Sequence, residues 1–352
     1  MTLPLHRPHC APIVSFIVAA GPAWGRKHMT EWKRLGRRPL VLSGAATLVG
    51  AHRSSHAQGP VLTRPVEIVV PYAAGGPADR YVRAMADPLR AAWGQPIVIS
   101  NKPGGGATIG AAAVAKAPPD GQTLLMASFG LVGNRLLMRE LPYDPGSLAP
   151  LSLAGVGGMT LYTRRSLHAP DLESFLNVAR TQPGGLRFGS SGVGSTPHVA
   201  CEVFAARVGV EIIHVPYRGS GQALTDLLAG NIDAVFTATT SGPARSDALV
   251  AIASSGTRRS LITPQVPTLT ESGLDVVART WYGFLAPSAT PPSVRADLVR
   301  GFQSLSGSAE ARNALIEDDI EPLFTGPDAF ARFLEEEMRY WAPVFRERNI
   351  QL

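Results

Sequence analysis

The chain has only two cysteines in 352 residues, Cys10 and Cys201. Cys10 falls in a segment argued below to be a leader, which leaves Cys201 alone. No intramolecular disulfide is then available, and a lone cysteine reads as a small buried apolar residue, not a nucleophile. Histidine is just as scarce. Beyond residue 57 there are His168, His198 and His214, without a metal-ligand spacing, so no metal site is expected. The chain also lacks a G-x-S-x-G elbow and an H-E-x-x-H helix. No His–Cys set or pair of carboxylates stands out from local spacing. The sequence therefore does not read as an enzyme, and nothing in it asks for a cofactor. No apolar run approaches the roughly 20 residues that cross a bilayer, and no repeat of solenoid period is present.

What is there begins with residues 29–57. Lys33, Arg34, Arg37 and Arg38 open the stretch, an apolar run follows from Pro39 to Ala51, and Ser55-His56-Ala57 closes it with a small-x-small site. This is the build of a secretory signal peptide, exported by the Sec route or, given Arg37-Arg38, by the twin-arginine route. Residues 1–28 fit no export pattern, so Met29 is the expected start and residues 1–57 the leader. The segment 1–57 carries eight Lys/Arg and one acid, Glu31, out of 33 basic and 27 acidic residues. The remainder thus has 25 basic against 26 acidic residues, a net charge of −1. The high pI belongs to the leader, and a basic nucleic-acid-binding surface is not expected. The mature chain, Gln58 to Leu352, has a length that suits two α/β domains.

Strand-like runs recur at 66–70, 97–100, 123–127, 211–215, 233–236 and 249–253, each bounded by turn residues. Helical patterns lie between several of them, as in Val82, Met85, Ala86, Leu89 and Trp93, and in Ala223, Leu224, Leu227 and Leu228. Such alternation predicts βα units and mostly parallel sheets. Pro88 should kink or split the first of these helices. A last helix over 327–348 has an apolar stripe of Phe330, Phe333, Leu334, Met338, Trp341 and Phe345. Its polar face carries Glu335, Glu336 and Glu337, so it is expected to dock on the body.

Two segments have the chemistry of an anion cradle. "VVPYAAGGPAD" (69–79) is a strand, a glycine turn and a helix start, where free N–H groups and the helix dipole attract a negative charge. Asp79 either caps that helix or receives a cationic group of a ligand. "FGSSGVGSTPH" (188–198) repeats the geometry, with Thr196 as cap and Pro197 in the first turn. Its hydroxyls on Ser190, Ser191, Ser195 and Thr196 would converge on one spot, an inventory suited to a carboxylate. The stretch is one lysine short of a phosphate loop, since Ser195 stands where G-x-x-x-x-G-K-[ST] needs lysine. His198 either donates to a neighbouring carbonyl or faces the ligand.

Taken in order, "RPVEIVVPYAAGGPADRYVR", "GQPIVISNKPGGGATIGAAAVAKAPPDGQTLLMAS", "LPYDP", "FGSSGVGSTPHVACEVFAARVGVEIIHVPYRGSGQALTDLLAGNIDAVF", "VPTLTESGL" and "WYGFLAP" carry a likeness that covers nearly all of 60–352. The sequence resembles the receptors of tripartite tricarboxylate transporters, the Bug family. The resemblance implies an α/β fold, the two-lobed type II periplasmic binding protein. Two α/β domains are joined by crossing strands near 152–161 and 280–286, with Trp281 and Tyr282 as hinge packing. Domain 1 would be 58–153 plus 280–352, and domain 2 would be 154–279. It implies a periplasmic, monomeric receptor for a small carboxylated solute, with membrane permease subunits as partners. A sensor protein as partner stays open, and so does a soluble enzyme using the 189–196 loop on a phosphorylated substrate.

By the same resemblance the solute is held by backbone N–H groups, hydroxyls and bridging waters. That maps onto Tyr72, Ala73, Ala74, Gly75 and Gly76, and onto Ser190, Ser191, Gly192, Gly194, Ser195 and Thr196. Asp79 and His198 stand at the edges of these loops, and Ser128 and Phe129 at a strand end facing the same cleft. Two departures matter. Ala73-Ala74 stand where the family often has proline, which loosens the loop. Thr237 stands where an aspartate is common, so an acid that could receive an ammonium group is missing. That shift predicts plain carboxylates over amino acids. The segment 241–254 is shorter than usual, which alters the cleft edge on domain 2.

Overall fold

The computed structural model describes residues 62–217, 219–238 and 246–348, all within one compact unit running from Ala57 to Leu352. The expected leader, residues 1–57, lies outside the described residues. The chain begins β1 (Val66–Val70), α1 (Pro77–Trp93), β2 (Ile97–Asn101), α2 (Thr108–Ala115), β3 (Thr123–Ala127), α3 (Gly130–Leu137) and β4 (Leu148–Gly157). It continues through β5 (Thr160–Arg164), α4 (Leu172–Thr181), β6 (Leu186–Ser190), α5 (Thr196–Val208), β7 (Ile212–Pro216), α6 (Ser220–Ala229), β8 (Ala234–Thr237) and β9 (Leu249–Ser254). It closes with β10 (Thr280–Pro287), α7 (Pro292–Ser304), α8 (Ala309–Ile316), β11 (Ile320–Pro322) and α9 (Pro327–Arg348).

Two sheets result, in the orders β11-β4-β10-β3-β1-β2 and β7-β6-β8-β5-β9. Each contains a parallel trio joined by helical crossovers, with β1 between β2 and β3 and with β6 between β7 and β8. The other pairings are antiparallel. The expectation of mostly parallel sheets is therefore corrected to two mixed ones. The cause is the chain's passage between sheets: β4 leads out into β5, β9 leads back into β10, and these strands run against their neighbours.

The sequence pattern explains the layers. In β1, Val66, Ile68 and Val70 pack into one core with Tyr81, Met85, Leu89, Phe284 and Phe302, while Val69 faces the opposite core. Burial on both faces is what a near-continuous Val/Ile run in a parallel strand requires. In the second lobe Phe188 of β6 meets Phe175, Phe204 and Phe236, all fully buried. Tyr162, Leu227 and Val235 close the far face.

Pro88 does not split α1, which runs unbroken to a left-handed Gly94 cap. Pro88 and Ala84, whose carbonyl the proline cannot serve, are both half-buried rather than in the core. The stripe on α9 is as read, with Phe330, Phe333, Trp341 and Phe345 buried. Glu337 is a correction, because it is buried, not solvated. It pairs with Arg279 at 2.5 Å and accepts from Trp341 Nε1 at 3.2 Å. At about 100° per residue, three consecutive glutamates cannot share one face, and Glu337 sits one turn before Trp341 on the buried side.

The two crossings meet at one node. Met159 N–H donates to Ser255 Oγ (3.0 Å) and Ser255 N–H to Met159 O (2.7 Å). Ser255 Oγ then donates to Ala278 O (2.8 Å). Gly158 allows the close approach, since a Cβ there would lie 2.7 Å from both Cα and N of Gly256. Trp281 lies just beyond, packed edge-on against Phe330 and Phe333.

Candidate solute-binding site

The parallel trios set the site. In each lobe the strand order reverses beside the central strand, and loops at the carboxyl ends of such strands form a crevice. The loop after β1 turns at Gly75, with φ +81, and Gly76 precedes the first helical residue, Pro77. Asp79 neither caps the helix as expected nor stays free for a cation. It is buried, accepts the Gly75 N–H (2.8 Å), and is gripped by Arg83 Nε (2.9 Å) and Nη2 (3.0 Å) and Asn101 Nδ2 (3.1 Å). The Arg83 hydrogen bonds lead the influences that hold its carboxyl below the usual range. With every lone-pair direction facing a protein donor, Asp79 braces the loop. Asn101 Nδ2 also donates to Tyr72 O (3.1 Å), tying the loop to the end of β2.

Tyr72 hydroxyl is hydrogen-bonded to Ser128 Oγ at the end of β3, which joins two expected site residues. Burial raises the Tyr72 phenol above its ordinary value. A cavity of about 10 Å³ lies beside the pair, lined also by Gly130, Asn134 and Tyr143. It has room for about one water and none for a solute. Phe129 is a core residue. Its ring is 1% exposed and stacks edge-on against Trp341 at 5.2 Å, so only its backbone could reach a ligand.

The loop after β6 is more self-contained than four free hydroxyls would suggest. Ser195, not Thr196, is the cap of α5, and its Oγ accepts from His198 N–H (3.5 Å) and donates to Gly192 O (2.6 Å). Ser190 Oγ accepts from Gly192 N–H (3.1 Å) and pairs with His214 Nε2 (2.6 Å). Two hydroxyls are thus spent on the loop's own frame, because short Ser side chains at turns bond the nearest backbone first. Ser191 and Thr196 remain, with the N–H groups of Ser191, Val193 and Thr196 free of partners among the described residues. His198 is buried and does the reverse of donating to a carbonyl: its Nδ1 accepts Gly194 N–H (3.1 Å).

The first turn of α1 likewise leaves the N–H groups of Ala78 and Asp79 without partners among the described residues. Helix α3 bridges the two loops. A Cβ on its Gly130 would lie 3.5 Å from Tyr72 Oη, and one on its Gly133 would lie 3.2 Å from Gly194 O of the other lobe. The loop after β1 and the loop after β6, one in each lobe, therefore both lie against α3.

The sequence reading missed a third loop. Gly104, Gly105 and Gly106 follow β2, and Gly106 O accepts Asn134 Nδ2 of α3 (2.6 Å). The signal was visible as strand, glycines, helix, the same pattern as in the other two loops. Thr237 ends β8, buried and opposite Thr160. Residues 239–245, which include Thr239 and Thr240, lie outside the described residues.

A family model described as "Tripartite tricarboxylate transporter family receptor" matches residues 81–350. The chain belongs to this receptor family. Among its relatives, protein BugT of Bordetella pertussis is 34% identical over 300 residues, covering 82% of this chain and 90% of BugT. Among solved structures, an R. palustris protein with adipate is 30% identical with a TM-score of 0.76, covering 82% of this chain and 98% of that one. MatC from Rhodopseudomonas palustris with bound malate is 28% identical with a TM-score of 0.73, covering 80% and 99%. The family is one of solute-binding receptors, and the fold is the two-lobed type II periplasmic binding protein.

Proposed function

We propose that this receptor captures a small carboxylate-bearing solute between its lobes and presents it to the membrane subunits of a tripartite tricarboxylate transporter. The observation that carries the reading is the pair of helix N-termini, α1 and α5, which leave the N–H groups of Ala78, Asp79 and Thr196 without partners among the described residues. A carboxylate fits them without a lysine, since charge-assisted hydrogen bonds to backbone N–H groups are strong. The adipate and malate held by structural neighbours support this class. Contacts would come from the backbone of Tyr72 to Gly76 and Ala78, and from Ser191, Val193 and Thr196. Asp79 is spent on Arg83 and Thr237 is uncharged, so the site offers no obvious partner for an ammonium group. That favours unaminated acids. The lobes would be 58–153 plus 280–352 and 154–279, although β4 stays in the first sheet to Gly157, which moves the first crossing to just after that residue; the place of work would be the periplasm.

Thermal melting of the purified chain tests the reading, after unfolding and refolding to strip any carried solute. The panel holds dicarboxylates, tricarboxylates, aromatic acids, glutamate, aspartate, and ATP with Mg²⁺. An acid at about 100 times its dissociation constant adds about 2.7 kcal/mol, a rise of several degrees. A rise with ATP alone would overturn the carboxylate reading. Tighter binding of glutamate or aspartate than of every unaminated acid would overturn the preference.

A further inference from the structure

Two histidines lie under the 190–196 loop. His198 is in the first turn of α5 and His214 is in the middle of β7, and their rings stack with centroids 4.0 Å apart and planes 24° apart. They use opposite nitrogens. His198 offers Nδ1 to Gly194 N–H at 3.1 Å, and His214 meets Ser190 Oγ through Nε2 at 2.6 Å. A backbone N–H can only donate, so His198 Nδ1 carries no proton. The ring proton is then on Nε2, which lies 3.9 Å from Glu202 Oε1 one turn along α5. Burial first, and then the neighbouring His214, lowers His198 to about 4. Burial also lowers His214. Both rings are neutral at neutral pH.

We propose that His198 and His214 are positioning residues, which fix the shape of the solute loop from beneath through Gly194 and Ser190 without touching the solute. This rests on reading that loop as solute-holding. The loop is a closed circuit of hydrogen bonds. Ser190 binds Gly192, and Gly192 O receives both Ser195 N–H (3.2 Å) and Ser195 Oγ (2.6 Å). Ser195 receives His198 N–H, and His198 holds Gly194. One histidine anchors each end of the circuit. What stays outside it is the set of donors on Ser191, Val193 and Thr196 that the solute needs. A preorganised loop binds more tightly because its ordering cost is met before the solute arrives. If Gly194 N–H loses its acceptor, the loop regains freedom and those donors scatter.

The opposite nitrogens make a sharp test. Asparagine places an acceptor where Nδ1 stands, and glutamine places a polar atom where Nε2 stands. His198→Asn and His214→Gln therefore preserve the bonds, whereas His198→Gln and His214→Asn do not. Affinity for the best-binding acid of the panel is measured by calorimetry. Amide hydrogen exchange over 190–198 is followed without solute, and the urea midpoint reports folding. The preserving variants should bind within about threefold of the native chain and keep slow exchange. The non-preserving ones should bind tenfold or more weaker with fast exchange, at urea midpoints close to those of their preserving counterparts. If the native chain binds an acid and all four variants bind alike, the positioning role is wrong. If the native chain binds no carboxylate at all, the function reading falls and takes this proposal with it.

Discussion

Removing Arg279 from beside Glu337 gives the sharpest thermodynamic test of how the second crossing is fastened. Glu337 on α9 is 1% exposed, and Arg279, just before β10, is 23% exposed. Nε and Nη2 of Arg279 reach Glu337 Oε1 at 2.9 and 2.5 Å, and the guanidinium also lies over the Phe333 ring at 4.8 Å. Arg279→Met keeps the packing of the stem and deletes the charge. Breaking a buried pair by removing one partner costs about 3–5 kcal/mol. Arg279 keeps some water contact, so the lower end, about 3 kcal/mol, is expected near pH 8. That corresponds to about 6–12 °C in the midpoint.

The pH dependence carries the decisive information. Burial raises the Glu337 carboxyl above its ordinary value, and Arg279 is the strongest influence pulling it back. A carboxyl with a raised folded-state pKa contributes stability that is fully present below the unfolded value and is lost as pH rises through the folded one. Without Arg279 the folded value climbs further, so the variant's deficit should be largest at pH 8 and shrink steadily toward pH 5. Adding Glu337→Gln removes the stranded charge while leaving an acceptor for Trp341 Nε1, and should recover at least half of the loss at pH 8. Urea unfolding of the four chains of this cycle at pH 5, 6.5 and 8 measures it. An equal deficit at all three values, or a double variant no better than Arg279→Met, would refute the account of Glu337 as a buried charge dependent on Arg279.

Other outcomes can be checked alongside. Phe188→Ala, at the centre of the four-phenylalanine cluster, should cost about 3–5 kcal/mol in urea unfolding, with solute affinity little changed in the molecules that remain folded. Gly158→Ala drives a methyl to 2.7 Å from Gly256 and should cost about 1–3 kcal/mol, again by urea. Asp79→Asn removes the ion pair with Arg83 and loosens the loop after β1. It should weaken solute binding in calorimetry more than it lowers the midpoint. Since the native carboxyl is held below its ordinary value, the difference between the native chain and this variant should fade only as pH drops through that depressed value. Cys201, fully buried with its thiol pushed well up, should not react with a thiol reagent until denaturant is added.

What could be read in advance was whatever repeats locally. Runs such as "VEIVV" and "TLLMA" are buried on both faces, and their Val/Ile/Leu content shows it. The glycine loops announce themselves because the turn needs residues free of a Cβ. The stripe on α9 follows from its period. The missed features depend on distant partners. Nothing near Glu337 names Arg279, and nothing near His198 names His214, which comes from the next strand. Whether a serine hydroxyl in "GSSGVGST" faces solute or its own loop depends on the helix start, and capping moved by one residue from Thr196 to Ser195. Asp79 likewise could not be read as a brace before Asn101 and Arg83 were placed around it.

The position of β10 has a consequence for how the chain is made. It lies between β3 and β4, with Gly283 opposite Ala127 and Phe284 opposite Ser152. The middle of the first sheet therefore stays open until the whole second lobe, β5 to β9, has been synthesised. The second lobe can close its own ladder earlier, because all five of its strands are contiguous in the chain. The amino-terminal lobe is thus the last to be completed, and its β3 and β4 edges must wait unpaired through that interval. Contacts of such long sequence separation make its closure the slow step.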